Sequence, residues 1–342
     1  MSVKVGIVGV TGYSGENLIR ILAKHGKTKI ACAMSRSIEE PTPVGKRFPA
    51  LSGQLELDIL PLDEEALARA CDVVFLALPH TESMERAATL IEKGKRVVDL
   101  AADFRLKDPS LFQKWYGKAH AARDLLRDAA YGLTELNASE IRKARLIANP
   151  GCYATSVILA VAPLIRAGYL AEGEFIADAK SGITGAGRAL NADFHFPEMD
   201  GNAWPYRVNR HAHQPEMEQC LSGLGNGPVR VIFTPQVIPV SRGILTTVYA
   251  RLVSAWDTAR LLQEYKEFYA QSVFVRVREE GYWPHLKDVE RTNFCDISLS
   301  VDETGKRVII VSAIDNLIKG ASGQAVQNLN CMFGWEESEG LL

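Results

Sequence analysis

Apolar positions in the first hundred residues switch between a repeat of about two and a repeat of about 3.6 residues, the periods of strand and helix. Val3–Val8 is a short β-branched run, and residues 16–24 then place Leu18, Ile21 and Leu22 on one helical face. Residues 29–34 read as a second strand. The run DVVFLAL at 72–78 is continuously apolar, as a strand covered on both faces of a parallel sheet must be. Residues 81–93 read as a helix and 96–100 as the next strand. This alternation predicts a doubly wound α/β domain of Rossmann type over residues 1–150.

The pattern changes near residue 150. Asn149-Pro150-Gly151 signals a turn, and residues 153–165 carry a helical apolar repeat that stops before Gly168. Strand-like runs follow at 175–179, 229–234, 243–253, 274–278, 294–301 and 308–313, with an amphipathic helix at 257–270 and a loop-rich middle at 182–215. This predicts an α+β domain with a mostly antiparallel sheet over 151–319, the catalytic and dimerisation domain of the reading below. A last helix, Gly323–Met332, sets Ala325, Leu329 and Met332 at helical spacing. The segment from about 320 to 342 is expected to pack back on the first domain. A length of 342 residues suits two domains of ordinary size.

Composition narrows the function class. A net charge of -2, without Lys/Arg clusters interleaved with aromatics, gives no footprint for nucleic acid. No apolar run approaches ~18 residues, so no membrane span is expected, and MSVKVGIVGVTG lacks the basic start of a secretory signal. Cys32, Cys71, Cys152, Cys220, Cys295 and Cys331 are scattered without paired spacing, which predicts neither a metal site nor a disulfide framework. A reducing compartment, the cytoplasm, is expected.

Gly9, Thr11, Gly12, Tyr13, Ser14 and Gly15 occupy the turn between the first strand and the first helix. Glycines there let backbone N–H groups approach a pyrophosphate, and the helix N-terminus favours its charge. An NAD site places a carboxylate at the end of the second strand. Here that stretch reads Ala33-Met34-Ser35-Arg36-Ser37, with no carboxylate before Glu39. Ser35 and Arg36 suit a 2′-phosphate, so NADP (NADPH) is the expected cofactor. Cys152 stands at the mouth of an apolar helix, where the dipole and free N–H groups favour a thiolate. A cysteine placed to meet a nicotinamide suggests attack on an acyl group followed by hydride delivery to the thioester.

Six ordered segments extend this reading: GVTGYSG at 9–15, LAADFRL at 100–106, NPGCYAT at 149–155, DAKSGITGAGR at 178–188, HAHQPE at 211–216 and AIDNLIKGASGQAVQNLN at 313–330. Over nearly its whole length the chain resembles the N-acetyl-γ-glutamyl-phosphate reductases, which are related to aspartate-semialdehyde dehydrogenases and more distantly to glyceraldehyde-phosphate dehydrogenases. The resemblance implies NADPH-dependent reduction of N-acetylglutamyl 5-phosphate to the 5-semialdehyde, in arginine biosynthesis, by a homodimer or homotetramer. It implies that Cys152 is the nucleophile and that Arg105, Ser181 and Gly182 hold the anionic substrate. Asn316 and Lys319 are implied to approach the cofactor. His213 takes the place of the family's general acid/base, with His211 as the second candidate and Glu216 orienting either the imidazole or the substrate's amide.

Two departures stand out. The family pattern reads His-Arg-His, whereas Ala212 lies between these histidines, so any anion contact of that arginine is lost or passes to Arg210. Ser156 replaces a Gly or Ala. If residues 211–213 are extended, the two imidazoles point to opposite sides. The same chemistry on an aminoadipyl phosphate, in lysine biosynthesis, is a second reading, since one methylene in an apolar pocket is worth only ~1–3 kcal/mol. A non-catalytic NADP-sensing regulator is a third, which the retained cysteine and histidines disfavour.

Overall fold

A computed structural model describes residues 2–342. The chain divides into two compact units, one running to Pro150 and joined by Ala321–Leu342, the other spanning Gly151–Gly320.

The first unit is built on eight strands: β1 (Val3–Val8), β2 (Thr28–Ser35), β3 (Thr42–Pro43), β4 (Asp58–Pro61), β5 (Val73–Leu76), β6 (Arg96–Asp99), β7 (Ala130–Tyr131) and β8 (Leu146–Ala148). Their order is β3-β4-β2-β1-β5-β6-β8-β7, parallel throughout except for β3 against β4. Val5, Ile7, Val8 and Val73–Leu76 are fully buried, which is why β5 reads as an unbroken apolar run. The first helix, Tyr13–Leu22, starts three residues before the apolar repeat does, because Gly12 is already its N-cap. The helix Met84–Glu92 starts later than residue 81: Thr81 sits at φ 72, and the N–H groups of Thr81 and Ser83 donate to the Asp103 carboxylate at 2.6 and 2.8 Å.

Gly323–Met332 packs against the helices Tyr13–Leu22 and Thr134–Ile141 and is buried along its whole length. Its buried polar side chains bond mostly within the unit, as burial demands, with Gln324 Nε2 donating to Thr134 Oγ1 at 3.1 Å. Asn328 donates to Gly132 O (2.7 Å) and Asn149 Oδ1 (3.0 Å) and accepts from Thr134 Oγ1 (2.8 Å).

The second unit carries β9 (Leu170–Gly182), β10 (Trp204–Pro205), β11 (Arg230–Ile238), β12 (Ile244–Leu252), β13 (Val275–Val277), β14 (Cys295–Val301) and β15 (Arg307–Ile314). The order is β10-β11-β9-β12-β15-β14-β13, with β11–β9 and β13–β14 parallel and the other pairs antiparallel. One face packs against the helix Cys152–Arg166, where Ser156 Oγ bonds Thr246 Oγ1 (2.8 Å) and Ser312 Oγ (2.7 Å). On the other face, Ile232, Ile176, Tyr249 and Ile309 lie in register across four strands and are exposed.

Two expectations need correction. β9 runs well beyond 175–179, because Glu174, Asp178 and Lys180 face outward and break the apolar signal. The segment 182–215 is not loop to its end: the helix His213–Leu224 begins inside it. Among the described residues, no helix is long and apolar enough to cross a membrane.

Candidate active site

In the first unit, the glycine-rich turn has the shape a phosphate cradle needs. Gly9 lies at φ 84, and a Cβ there would stand 2.1 Å from Ala77 O. A Cβ on Gly15 would come within 2.4 Å of Gly9 O. Gly12 N–H closes the turn onto Gly9 O at 3.1 Å, and Tyr13 and Ser14 open the helix. Behind the turn, Thr11 Oγ1 bonds Ser35 Oγ (2.8 Å) and Ser37 Oγ (3.2 Å), and the two serines bond each other (3.0 Å). The neighbouring Arg36 guanidinium pairs with Glu82. Three hydroxyls and a half-exposed guanidinium beside an open backbone turn fit a dinucleotide bearing a 2′-phosphate.

Also in the first unit, Arg105 is 4% exposed, and its Nε and Nη2 donate to Asn149 O and Leu100 O, both at 2.8 Å. Asn149 is held further by its N–H on Asp99 O (2.8 Å) and its Nδ2 on Ala321 O (3.1 Å). The strand leading to the cysteine turn therefore ends in a rigid position, with Arg105 as one of its braces. Asp99 and Asp103 are fully buried beside it. Burial, and then the Asp103 charge, pushes the Asp99 carboxyl up to about 7.

Cys152 is the first residue of the helix Cys152–Arg166 in the second unit, half-buried, with Gly151 as N-cap. Two contacts explain the glycines around it. A Cβ on Gly320 would lie 2.7 Å from Cys152 Cβ, and one on Gly151 would lie 2.3 Å from His213 Nε2. The His213 ring thus rests directly on the backbone of the residue before the thiol. Glu216, three residues further along the same helix and fully buried, accepts the Gly151 N–H at 2.8 Å. This i, i+3 spacing aims both side chains at one turn. On the other side, Asp315 accepts from Arg242 Nη1 (2.9 Å), Arg291 N (2.7 Å), Leu317 N (2.8 Å) and Ile318 N (3.0 Å), while its carbonyl holds Gly320 N–H (2.9 Å).

The histidines do not diverge. Ala212 is helical, so residues 211–213 are not extended, and the two imidazole centroids lie 4.6 Å apart. His211 is buried, and its Nδ1 accepts the His213 N–H at 3.1 Å, which leaves the proton of a neutral ring on Nε2. The rings of Tyr153, Tyr206 and Phe233 surround it at 5.4, 5.6 and 5.5 Å.

Of the other expected residues, Ser181 and Gly182 end β9, and Gly182 N–H bonds Gly243 O at 2.9 Å. The Asn316 amide ties that turn together, accepting Gly243 N–H (2.8 Å) and donating to Thr184 Oγ1 (3.0 Å). Lys319 is fully buried, its Nζ 5.7 Å from the Phe274 ring centre. Arg210 is exposed, its N–H on Arg207 O at 2.8 Å. The second unit thus groups Cys152, His211, His213 and Glu216, and Arg105 and the glycine-rich turn belong to the first. Tyr153, Tyr206, Asp315 and Arg242 escaped the sequence reading. Tyr153, adjacent to the cysteine, was the most findable; Tyr206 lies alone in an aperiodic stretch.

Residues 4–144 match the family described as semialdehyde dehydrogenase, NAD binding domain, and residues 152–316 the family described as semialdehyde dehydrogenase, dimerisation domain. The chain is 46% identical over its full length, and 98% of the relative's, to an N-acetyl-γ-glutamyl-phosphate reductase of Symbiobacterium thermophilum. It is 43% identical over 99% of its length, and 98% of the relative's, to that of Bacillus subtilis. Among solved structures, it resembles an aspartate semialdehyde dehydrogenase with NADP from Candida albicans at a TM-score of 0.74 and 16% identity, covering 97% of this chain and 99% of that one.

Proposed function

The chain belongs to the N-acetyl-γ-glutamyl-phosphate reductases, and from that membership we propose how its residues divide the NADPH-dependent reduction of N-acetylglutamyl 5-phosphate to the 5-semialdehyde. Gly9, Thr11, Gly12, Tyr13, Ser14 and Gly15 would hold the pyrophosphate of NADP, and Ser35 with Arg36 its 2′-phosphate. When bound, NADPH supplies the hydride that converts the Cys152 thioester to a hemithioacetal.

The residues of the second unit carry the rest. Cys152 Sγ attacks the acyl carbon as His213 takes the thiol proton; the C–O bond to phosphate breaks, and phosphate leaves with the electron pair and that proton. After reduction, His213, reprotonated from solvent, hydrogen-bonds the oxyanion until the C–S bond breaks and thiolate departs with the aldehyde formed. Glu216 is assigned to holding the Gly151 turn, and His211 to holding the N-terminus of the His213 helix. Ser181 and Gly182 remain the assigned substrate contacts, whereas Arg105 is reassigned to bracing Asn149. The observation that carries this division is the His213 ring seated on Gly151, one residue from the thiol.

A homodimer formed through the row Ile232, Ile176, Tyr249 and Ile309 is proposed, and the match of residues 152–316 to a dimerisation domain supports it. The six free cysteines suit a reducing compartment, and the cytoplasm is the proposed one. The test of the reaction is its reverse: reduction of NADP by N-acetylglutamate semialdehyde that requires inorganic phosphate. Turnover without phosphate, or turnover on an aminoadipate semialdehyde alone, would reject the assignment.

A further inference from the structure

We propose that the Tyr206 phenol oxygen is a specificity-determining acceptor for the amide N–H of an N-acylated substrate. This rests on the reaction proposed above and adds a residue to its binding site.

The position of Tyr206 is set by its backbone. It follows β10, in which Pro205 pairs with Gln236, and its own N–H donates to Pro235 O at 3.0 Å. Its ring packs edge-on against His211 at 5.6 Å. The hydroxyls then form a short relay of fixed polarity. Tyr153 O–H donates to the main-chain carbonyl of Gln236 at 3.0 Å, and Tyr206 O–H donates to Tyr153 Oη at 3.2 Å. A carbonyl can only accept, so the order of donation cannot reverse while both bonds stand. Both phenol protons are thus used within the relay, and Tyr206 is left with lone pairs to offer.

Tyr206 is also the reachable end of that relay. Tyr153, the residue after the nucleophile, is 2% exposed, whereas Tyr206 is half-buried. Burial pushes the Tyr206 phenol up to about 12, so it stays neutral near pH 7 and offers no charge to an ammonium group. An ammonium placed there would lose several water contacts for one neutral acceptor, whereas a secondary amide has a single N–H to satisfy. N-acetylation of the substrate turns the first group into the second. The polarity of the relay therefore matches the acylated substrate and disfavours the free amine.

The test is a coupling cycle with two substrates and two proteins. The substrates are N-acetylglutamate semialdehyde and 2-acetoxy-5-oxopentanoate, an ester with oxygen in place of the N–H. The proteins are the full-length wild type and Tyr206→Phe, assayed in the phosphate-dependent direction. Wild type is expected to lose about 5- to 100-fold in kcat/KM on the ester, because an acceptor then faces an acceptor. Tyr206→Phe should lose a similar factor on the amide, mainly through KM, and treat the two substrates within about threefold of each other. The rate of Cys152 alkylation by iodoacetamide should be unchanged in the variant, which separates lost recognition from a disturbed nucleophile. A variant that keeps the wild-type preference for the amide overturns the proposal, as does one whose loss falls equally on both substrates. Failure of wild type to turn over the amide would instead overturn the reaction assignment, and this inference with it.

Discussion

Replacing Gly151 by alanine adds one methyl group directly against the His213 ring. The backbone there, at φ -71 and ψ 149, is open to any residue, so the substitution does not strain the chain. The methyl would stand 2.3 Å from His213 Nε2, 2.5 Å from its Cε1 and 2.7 Å from its Cδ2. Non-bonded atoms of this size rest at about 3.5 Å, so the imidazole must withdraw by about 1 Å. A displacement of that size can cost roughly 100-fold in rate, and the complete loss of acid/base catalysis would cost roughly 10²- to 10⁴-fold. Gly151→Ala should therefore lower kcat by about 30- to 300-fold, with little change in NADP affinity. The steady-state assay is phosphate-dependent reduction of NADP, accompanied by a thermal melt to show that the fold survives. A double-mutant cycle then identifies the route. Asparagine at 213 removes most of the ring, so adding Gly151→Ala to His213→Asn should cost less than about threefold more. If Gly151→Ala keeps kcat within threefold of wild type, the His213 ring does not work where the structure puts it. Additive losses in the double variant would show that the methyl acts through some other group.

Two further outcomes follow from the first unit. Arg36→Ala should weaken NADPH and leave NADH unchanged, as read by fluorescence titration. A guanidinium–phosphate contact is worth about 1.5–3 kcal/mol, and release from the part-exposed pair with Glu82 offsets about 0–1 kcal/mol of it, so a loss of about 10-fold is expected. Equal weakening of both cofactors would refute the role. Asp99 makes stability depend on pH. Its carboxyl titrates at 3.8 in the unfolded chain and about 7 in the fold, so the folded state holds the extra proton between those values. The stabilisation is complete below about pH 4 and is lost as pH rises through 7. Asp99→Asn keeps an acceptor for the Ala101 N–H, 3.1 Å away in wild type, and removes this titration. Its Tm relative to wild type should therefore climb between pH 5 and 7.5, and a flat difference would contradict the assignment.

Much of the architecture is legible in the sequence because burial writes a period into it. β5 is covered on both faces and reads as a solid apolar run, and Gly323–Met332 keeps its helical spacing although polar residues fill its interior. Where polar residues face outward from a buried strand, as on β9, the period blurs and only 175–179 stands out. Helix starts fixed by distant side chains are equally silent: the carboxylate that delays the helix Met84–Glu92 comes from Asp103. In the candidate site, Cys152, His213 and the glycine-rich turn stand out in the sequence because the chemistry proposed for them demands particular residue types. The reasons for Gly151 and Gly320 are not, since each is a glycine only because a side chain remote in sequence occupies the space of its Cβ. The divergence of His211 and His213 assumed an extended backbone, and the helical Ala212 reverses it. Arg105 is legible as a cation, but its donation to the main-chain carbonyls of Asn149 and Leu100 is not, because both partners are set by the fold.

The central claim is that the acyl group passes through Cys152, and rapid quenching tests it without depending on turnover. Enzyme mixed with N-acetylglutamyl phosphate, supplied in place by acetylglutamate kinase and ATP, should accumulate a covalent acyl adduct when NADPH is withheld. Peptide mass spectrometry after an acid quench should find the N-acetylglutamyl mass on the peptide carrying Cys152 and on none of the other five cysteines. Addition of NADPH should remove it, and Cys152→Ala should never form it. An adduct on a different cysteine, or a Cys152→Ala enzyme that still reduces the acyl phosphate within tenfold of wild type, would contradict the account.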